Sequence, residues 1–296
     1  MLNLEQLENL QSLNDRWQAR CPACSLLGMD KRGVHLSILK QTNQFCCVAF
    51  QNDHQHRSEI YKLVGIKKNG DNNGNNNHED ETKDNKLTEP KQPKIYDKKI
   101  LNSLLPIYDF YLDKGISKET LQFFQAGYMA ENNKLKGRIC FPIFNENDNI
   151  IGFAGRQVVE NDKYPKWLLI GSKKEWVWPS LNLTKQSIRD RNEIVLIESL
   201  GNGLACWNAG IKNFLVLFGT QLFNKLLNVI IALNARVILT LDNDEAGLDS
   251  ALKIEKRLLD YLDKDWVKII HPPKGKKDLM ECTKEELKEM YHVGKD

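Results

Sequence analysis

The chain has 296 residues, 41% of them hydrophobic and 27% charged, which fits an ordinary globular protein of one large or two to three smaller domains. A formal charge of +3 is too small to argue nucleic-acid binding by itself, so the local distribution of basic residues must carry that argument. No stretch approaches the roughly 18 apolar residues of a membrane span, and Met1-Leu2-Asn3-Leu4-Glu5 lacks the basic-then-apolar pattern of a secretory leader. Seven cysteines, an odd number with one Cys-x-x-Cys pair, argue for a metal site in a reducing, cytoplasmic setting rather than a disulfide framework.

In chain order, Leu2, Leu7, Leu10 and Leu13 among polar residues predict a short amphipathic helix over 1–18. Cys21-Pro22-Ala23-Cys24 follows, at a spacing that lets two thiolates reach one tetrahedral zinc. Val34–Leu39 alternates as a strand does, and Phe45-Cys46-Cys47 begins its return strand, with His54 and His56 close behind. Neighbours in a strand face opposite sides, so only one of Cys46 and Cys47 can be a ligand. The expected zinc set is Cys21, Cys24, Cys47 and His56. His54 and His35 are alternatives for the histidine, and His35 is alternatively a surface residue touching nucleic acid. Residues 67–95 are dominated by Asn, Asp, Lys, Glu and Gly, with too little apolar surface to offset ordering entropy, and are expected to be a disordered linker. His78 within them is read as solvated.

Apolar periodicity returns near Tyr96. Ser117 is placed to cap a helix burying Leu121 and Phe124 before a turn at Gly127. Gly137–Phe144 and Ile150–Val158 read as a hairpin joined by the turn Asn145–Asn149. It carries Arg138 and Arg156, and Tyr164-Pro165-Lys166-Trp167-Leu168 comes soon after. Basic residues among glycines and aromatics suit phosphate and single-strand contacts. Trp176 and Trp178 read as core or rim packing rather than stacking platforms.

Beyond residue 190, strands and helices alternate, as in a parallel α/β sheet. Glu193–Ile197 leads to Glu198, with Gly201 and Gly203 bracketing a turn into a helix; Phe214–Phe218 ends at Gly219-Thr220. A helix over Leu222–Leu233 precedes the apolar run Val237–Leu241, which ends on Asp242-Asn243-Asp244. A helix from Leu248, a strand over Trp266–Ile270 and a loop reaching Asp278 complete the pattern. Open α/β sheets place ligands at the carboxyl ends of their strands. Glu198, Asp242, Asp244 and Asp278 therefore converge on one crevice. With no Gly-x-x-x-x-Gly-Lys-Ser/Thr motif in the chain, such acids point to phosphoryl chemistry dependent on a divalent metal.

The strand ending in Glu198, the Gly219-Thr220 pair and Asp242-x-Asp244-x-x-Gly247 together resemble the Toprim domain. Gly137–Ile143 through Gly155-Arg156, with Tyr164–Leu168, resembles the basic subdomain that precedes Toprim in bacterial DnaG-type primases, and Tyr111–Gly127 resembles its helical entry. The resemblance implies a Toprim core of mostly parallel sheet flanked by helices, preceded by a small α+β basic subdomain and an N-terminal zinc-ribbon-like module. The implied domains are 1–66, 67–95 (linker), 96–190 and 191–296. It further implies synthesis of short RNA primers from NTPs on single-stranded DNA, with a replicative helicase as partner, as in compact phage or plasmid proteins. Zn2+ is implied in the first module and Mg2+ or Mn2+ at Glu198, Asp242 and Asp244; Asp278 joins the catalytic acids. Arg138, Arg156 and Lys166 would contact nucleotide or nucleic acid. Two departures stand out. Asn202 occupies the place of a second acid after Glu198, and Phe50 stands where a further cysteine would follow Cys47. These keep open a single-strand-binding protein with weak catalysis, or a Toprim nuclease.

Overall fold

A computed structural model describes residues 2–50, 53–65, 94–131, 134–159 and 164–293. Two compact units emerge, Met1–Pro93 and Lys94–Asp296. The expected linker, His78 included, lies outside the described residues except for its last two.

The first unit is an antiparallel sheet in the order β1-β2-β3-β4, with strands β1 (Gln11–Ser12), β2 (Arg16–Ala19), β3 (Leu36–Leu39) and β4 (Phe45–Cys47), and helices α1 (Pro22–Leu26) and α2 (His54–Val64). The predicted helix over 1–18 is not formed. A short 3-10 turn at Leu4–Gln6 is capped by Asn3, and Asn9 adopts φ +56°, a left-handed conformation that asparagine tolerates and an α-helix does not. Leu2 and Leu7 reach the core while Leu10 and Leu13 remain exposed, so the leucine spacing reflected two local turns. The expected pairing of β3 with β4 is present, Leu36 opposite Cys47.

The second unit opens with β5 (Leu104–Leu105), α3 (Asp109–Leu112), α4 (Lys118–Phe123), β6 (Gly127–Met129), β7 (Arg138–Phe144), β8 (Ile150–Gln157), β9 (Trp167–Gly171) and α5 (Leu181–Arg191). Ser117 caps α4 as expected, its side chain accepting from Thr120 N at 3.2 Å. The five strands form one antiparallel sheet in chain order. The hairpin gains a third strand, β9, formed by the aromatic-basic segment after Tyr164. Its apolar run pairs along β8, with Arg156 opposite Trp167.

The alternation of strand side chains divides this sheet into two faces. Ile139, Phe141 and Ala154 share one core with Val195, Ile197, Leu204 and Phe214, and Trp167 and Leu169 pack against it. Met129, Cys140 and Phe153 form a separate small cluster on the other face. The remaining elements are β10 (Glu193–Ile197), α6 (Leu200–Asn208), β11 (Phe214–Val216), α7 (Asn224–Leu233), β12 (Arg236–Thr240), α8 (Glu245–Leu258), β13 (Val267–Ile269) and α9 (Lys284–Met290). Their sheet is parallel throughout, in the order β11-β10-β12-β13. This is the expected α/β core of parallel sheet flanked by helices, preceded in the chain by an α+β segment built on the antiparallel sheet. Residues anticipated as two successive domains, 96–190 and 191–296, contribute to a common core. Among the described residues, no helix is long and apolar enough to cross a membrane.

Candidate metal centre and acidic crevice

In the first unit, Cys21, Cys24, Cys47 and His56 are all buried, and their ligand atoms lie within 4.8 Å of one another. His56 Nε2 is 3.4 Å from both Cys21 Sγ and Cys24 Sγ, and Cys24 Sγ is 3.5 Å from Cys47 Sγ. Zn–S bonds of about 2.3 Å and Zn–N bonds of about 2.0 Å place tetrahedral ligand atoms about 3.5–3.8 Å apart, so this donor set fits one zinc ion. Local structure explains the geometry. Asp53 caps α2 by accepting from Gln55 N and His56 N, each at 2.9 Å, which fixes His56 in the first helical turn. The His56 ring stacks on Phe50 at 4.2 Å. The buried Asp30 carboxylate accepts from Cys21 N, Val34 N and His35 N at 2.6, 2.8 and 3.1 Å, closing the loop that carries the first thiol. Hydrogen bonds from Cys24 and Cys47 push the Cys21 thiol far below the ordinary range, and the same contact with Cys21 pushes Cys24 up.

His35 is only 3% exposed, its Nε2 lies 3.8 Å from Asp30 Oδ1, and it stands outside the ligand set. It is therefore neither a ligand nor a surface contact, contrary to both alternatives read for it. The side chain of His54 is outside the described residues. Cys46 is half-buried, on the strand face opposite Cys47.

In the second unit, the strand ends bring the predicted acids together. Glu198 follows β10 and Asp242 follows β12, its immediate neighbour in the sheet. Asp242 N donates to Glu198 Oε2 at 3.3 Å. Asp244 caps α8, accepting from Gly247 N at 3.0 Å, and Lys277 Nζ lies 3.5 Å from its other oxygen. A Cβ on Gly247 would come within 2.2 Å of the Asp242 carbonyl oxygen, so the spacing from Asp242 to Gly247 requires glycine for this close turn. Asn243, between the two acids, ties the site together. Its Nδ2 donates to Pro272 O and Lys276 O at 3.1 and 3.0 Å, and its N to Lys277 O at 2.7 Å. That clamp draws the following loop against the end of β12, where Asp278 accepts from Met280 N at 2.8 Å.

Asn202, on α6, is 1% exposed. Its Nδ2 donates to Asp242 Oδ1 at 2.9 Å, and its Oδ1 is buried without a hydrogen-bond partner. Burial, followed by the charge of Glu198, raises Asp242 to about 6, with the Asn202 amide opposing the rise. Burial likewise raises Glu198 and Asp278. Carboxylates held in this state favour either a proton or a cation. Hard divalent cations take oxygen donors, so Glu198, Asp242, Asp278 and the free oxygen of Asn202 offer suitable chemistry. These acids are less tightly gathered than the Cys/His set, which among the described residues is the one group of such ligand atoms within 4.8 Å.

The three basic residues separate. Arg138 is 6% exposed, and its guanidinium donates to the carbonyls of Gly155, Lys166 and Pro165 at 3.2, 3.2 and 2.9 Å. Those donors are committed within the chain. Arg156 is partly exposed on the opposite face of the sheet, across from Trp167, with one guanidinium nitrogen donating to Lys166 O at 3.3 Å and the group lying over the Phe110 ring at 5.1 Å, and Lys166 is exposed. Trp176 and Trp178 are buried in the core, as read.

A family model described as Toprim-like matches residues 195–282. A DNA primase of Campylobacter jejuni is 31% identical over 157 residues, covering 51% of this chain and 24% of that protein. A DNA primase of Staphylococcus aureus is 30% identical over 164 residues, covering 51% and 26%. The matches thus span about a quarter of these relatives' length. Among solved structures, the zinc-binding and RNA polymerase domains of the Aquifex aeolicus primase share the fold with a TM-score of 0.55 at 18% identity, over 97% of this chain and 81% of that one. A DnaG primase catalytic domain bound to ssDNA gives a TM-score of 0.55 at 19% identity, over 66% and 74%. The chain is thus similar in sequence to bacterial DNA primases over about half of its length, shares the fold of DnaG primase domains, and carries a Toprim-like segment over residues 195–282.

Proposed function

We propose that this protein synthesises short RNA primers on single-stranded DNA by metal-dependent nucleotidyl transfer. The observation that carries this reading is the convergence of Glu198, Asp242 and Asp278 at the ends of a parallel sheet that shares its core with an antiparallel sheet bearing Arg156 and Lys166. Relatives named DNA primase, and a related catalytic domain bound to ssDNA, support the choice of reaction and template.

In this account Glu198, Asp242 and Asp278 hold Mg2+ or Mn2+, with Asp244 shaping the rim through its cap of α8 and its contact with Lys277. Once bound, the cation supplies charge neutralisation for phosphate oxygens. Asn202 orients Asp242 through its amide hydrogen bond. Arg156 and Lys166 hold nucleotide phosphates or template backbone, and Arg138 positions them from behind, because its guanidinium grips the Lys166 carbonyl. Phosphoryl transfer of this kind depends mainly on positioning and charge stabilisation. The Cys/His set holds a structural Zn2+, NTPs are the substrates, and a replicative helicase is the expected partner in a cytoplasmic replication setting.

The test is incorporation of labelled NTPs into oligoribonucleotides on varied single-stranded templates, with Mg2+ or Mn2+ and a candidate helicase. Metal-dependent products that vanish in EDTA are expected; no product under any condition contradicts the proposal. A second reading, a single-strand-binding protein with little synthesis, is favoured by the neutral Asn202 beside Asp242. It predicts salt-dependent DNA binding that Asp242→Ala leaves intact, without synthesis to lose.

A further inference from the structure

A cavity of about 210 Å³ opens beside the acidic crevice, walled by Trp167, Leu169 and Phe218 and floored by Glu198, Ser199 and Gly219. It is smaller than the roughly 300–1,000 Å³ of pockets enclosing a drug-sized molecule, and so has room for a single ring system with the remainder of a ligand outside. Its walls are apolar and two are aromatic, while Glu198 belongs to both the cavity and the crevice. A ligand filling both places therefore has a flat apolar end and a metal-binding anionic end.

The walls are built rather than incidental. Phe218 sits at φ +57°, a left-handed conformation unusual for a bulky residue that persists only where surrounding structure enforces it. Gly219 follows at φ +126°. Three contacts enforce this turn: Gly219 N donates to Glu198 O at 3.0 Å, Lys173 Nζ donates to Phe218 O at 3.2 Å, and Trp176 packs edge-on to the Phe218 ring at 4.9 Å. Opposite, Trp167 stands on the face of β9 that packs toward the main core, directly across from Arg156 on β8. The Arg156 guanidinium lies over the Phe110 ring at 5.1 Å and donates to Lys166 O at 3.3 Å, on the same face of the sheet as the indole.

We infer that this cavity seats the base of the nucleotide whose phosphates enter the acidic crevice, with Trp167 and Phe218 as stacking walls. The inference rests on the proposed nucleotidyl transfer and names the group that selects a nucleotide over a bare polyphosphate. Stacking accepts every base, because each has a π-face. Ser199, whose hydroxyl already accepts from Asn202 N at 3.2 Å, adds little discrimination. Purine and pyrimidine nucleotides are therefore expected to bind within a few-fold of each other.

The test is calorimetric titration of the full chain, in Mg2+, with ATP, CTP and inorganic tripolyphosphate. Wild type is expected to bind both nucleotides at least about tenfold more tightly than tripolyphosphate, in line with one stacked base. Trp167→Leu keeps the apolar wall but removes the ring, and Leu169→Trp fills the cavity. Each should lower nucleotide affinity about tenfold and leave tripolyphosphate binding unchanged. Equal affinity of wild type for nucleotide and tripolyphosphate overturns the inference, as does a variant that weakens all ligands alike or none. Primer synthesis without base-dependent binding defeats the pocket alone. Base-dependent binding without synthesis defeats the proposed reaction alone, and no binding of any ligand defeats both.

Discussion

Replacing Asn202 by aspartate sets two carboxylates about where an amide now donates to Asp242 Oδ1 at 2.9 Å, at a position only 1% exposed. Two full charges about 3 Å apart cost about 5 kcal/mol at an effective dielectric constant of 20. The pair has a cheaper route. Asp242 already stands near 6, so protonating it at pH 7.5 costs about 2 kcal/mol at 1.36 kcal/mol per pKa unit. Proton sharing therefore wins. The lost hydrogen bond to a charged group adds about 1.5–3 kcal/mol, part of which a shared proton restores. Asn202→Asp should thus lose about 2–4 kcal/mol in EDTA at pH 7.5, a fall in melting temperature on the order of 10 °C for a domain of this size. The deficit should shrink at pH 5.5, and Mg2+ should raise the melting temperature more in the variant than in wild type. The assay is thermal melting of both proteins at the two pH values, with EDTA and with Mg2+. A variant as stable as wild type in EDTA, with the same response to Mg2+, refutes this electrostatic reasoning. In primer synthesis, the added acid should raise metal affinity and product yield.

Further expectations concern separate parts of the molecule. In metal-free wild type, the folded state keeps a proton on Asp242 between its ordinary 3.8 and about 6, whereas the unfolded chain has released it. Stability therefore falls as pH rises through that window, by up to about 3 kcal/mol, and Asp242→Asn should flatten the profile in denaturant titrations. Arg138→Ala removes a buried donor from three carbonyls, of which Lys166 O keeps Gln157 N at 2.9 Å, and should cost about 1–3 kcal/mol in the same measurement. Arg156→Ala should instead leave stability nearly unchanged and lower the salt dependence of single-strand binding by about one phosphate contact. Metal analysis of purified protein should find one zinc per chain in wild type and in His35→Ala, with loss in Cys21→Ser and His56→Ala. Zinc loss in His35→Ala alone would reassign the histidine ligand.

What could be read from the sequence tracked how local the determining physics is. The Cys/His cluster is legible because Cys21 and Cys24 carry a ligand spacing, and strand alternation lets only one of Cys46 and Cys47 face it. The parallel strands β10, β11 and β12 announced themselves as apolar runs, and Asp242 and Glu198 mark their ends. By contrast, the leucines before Cys21 imitated a helical period, and only Asn9 in its left-handed conformation reveals the break. Strand β9 was hidden because its pairing with β8 is tertiary. Arg138 and Arg156 look equivalent in sequence, yet the pairing of β7 with β8 sets Arg156 opposite Ile139 and Arg138 opposite Gln157, so the two arginines face opposite sides of the sheet. Asn243 resembled a turn residue, and its clamp on the Pro272–Lys277 loop depends on chain thirty residues away. The Thr283…Glu286 capping box that opens α9 is a local signal carried by the sequence itself.

The most direct test of the central claim is the yield of oligoribonucleotide on single-stranded DNA by wild type beside Asp242→Ala, at matched folded fraction and in Mn2+ or Mg2+. Products are expected from wild type alone, abolished by EDTA. Equal yields from both proteins, or none from either on every template tried, would contradict it.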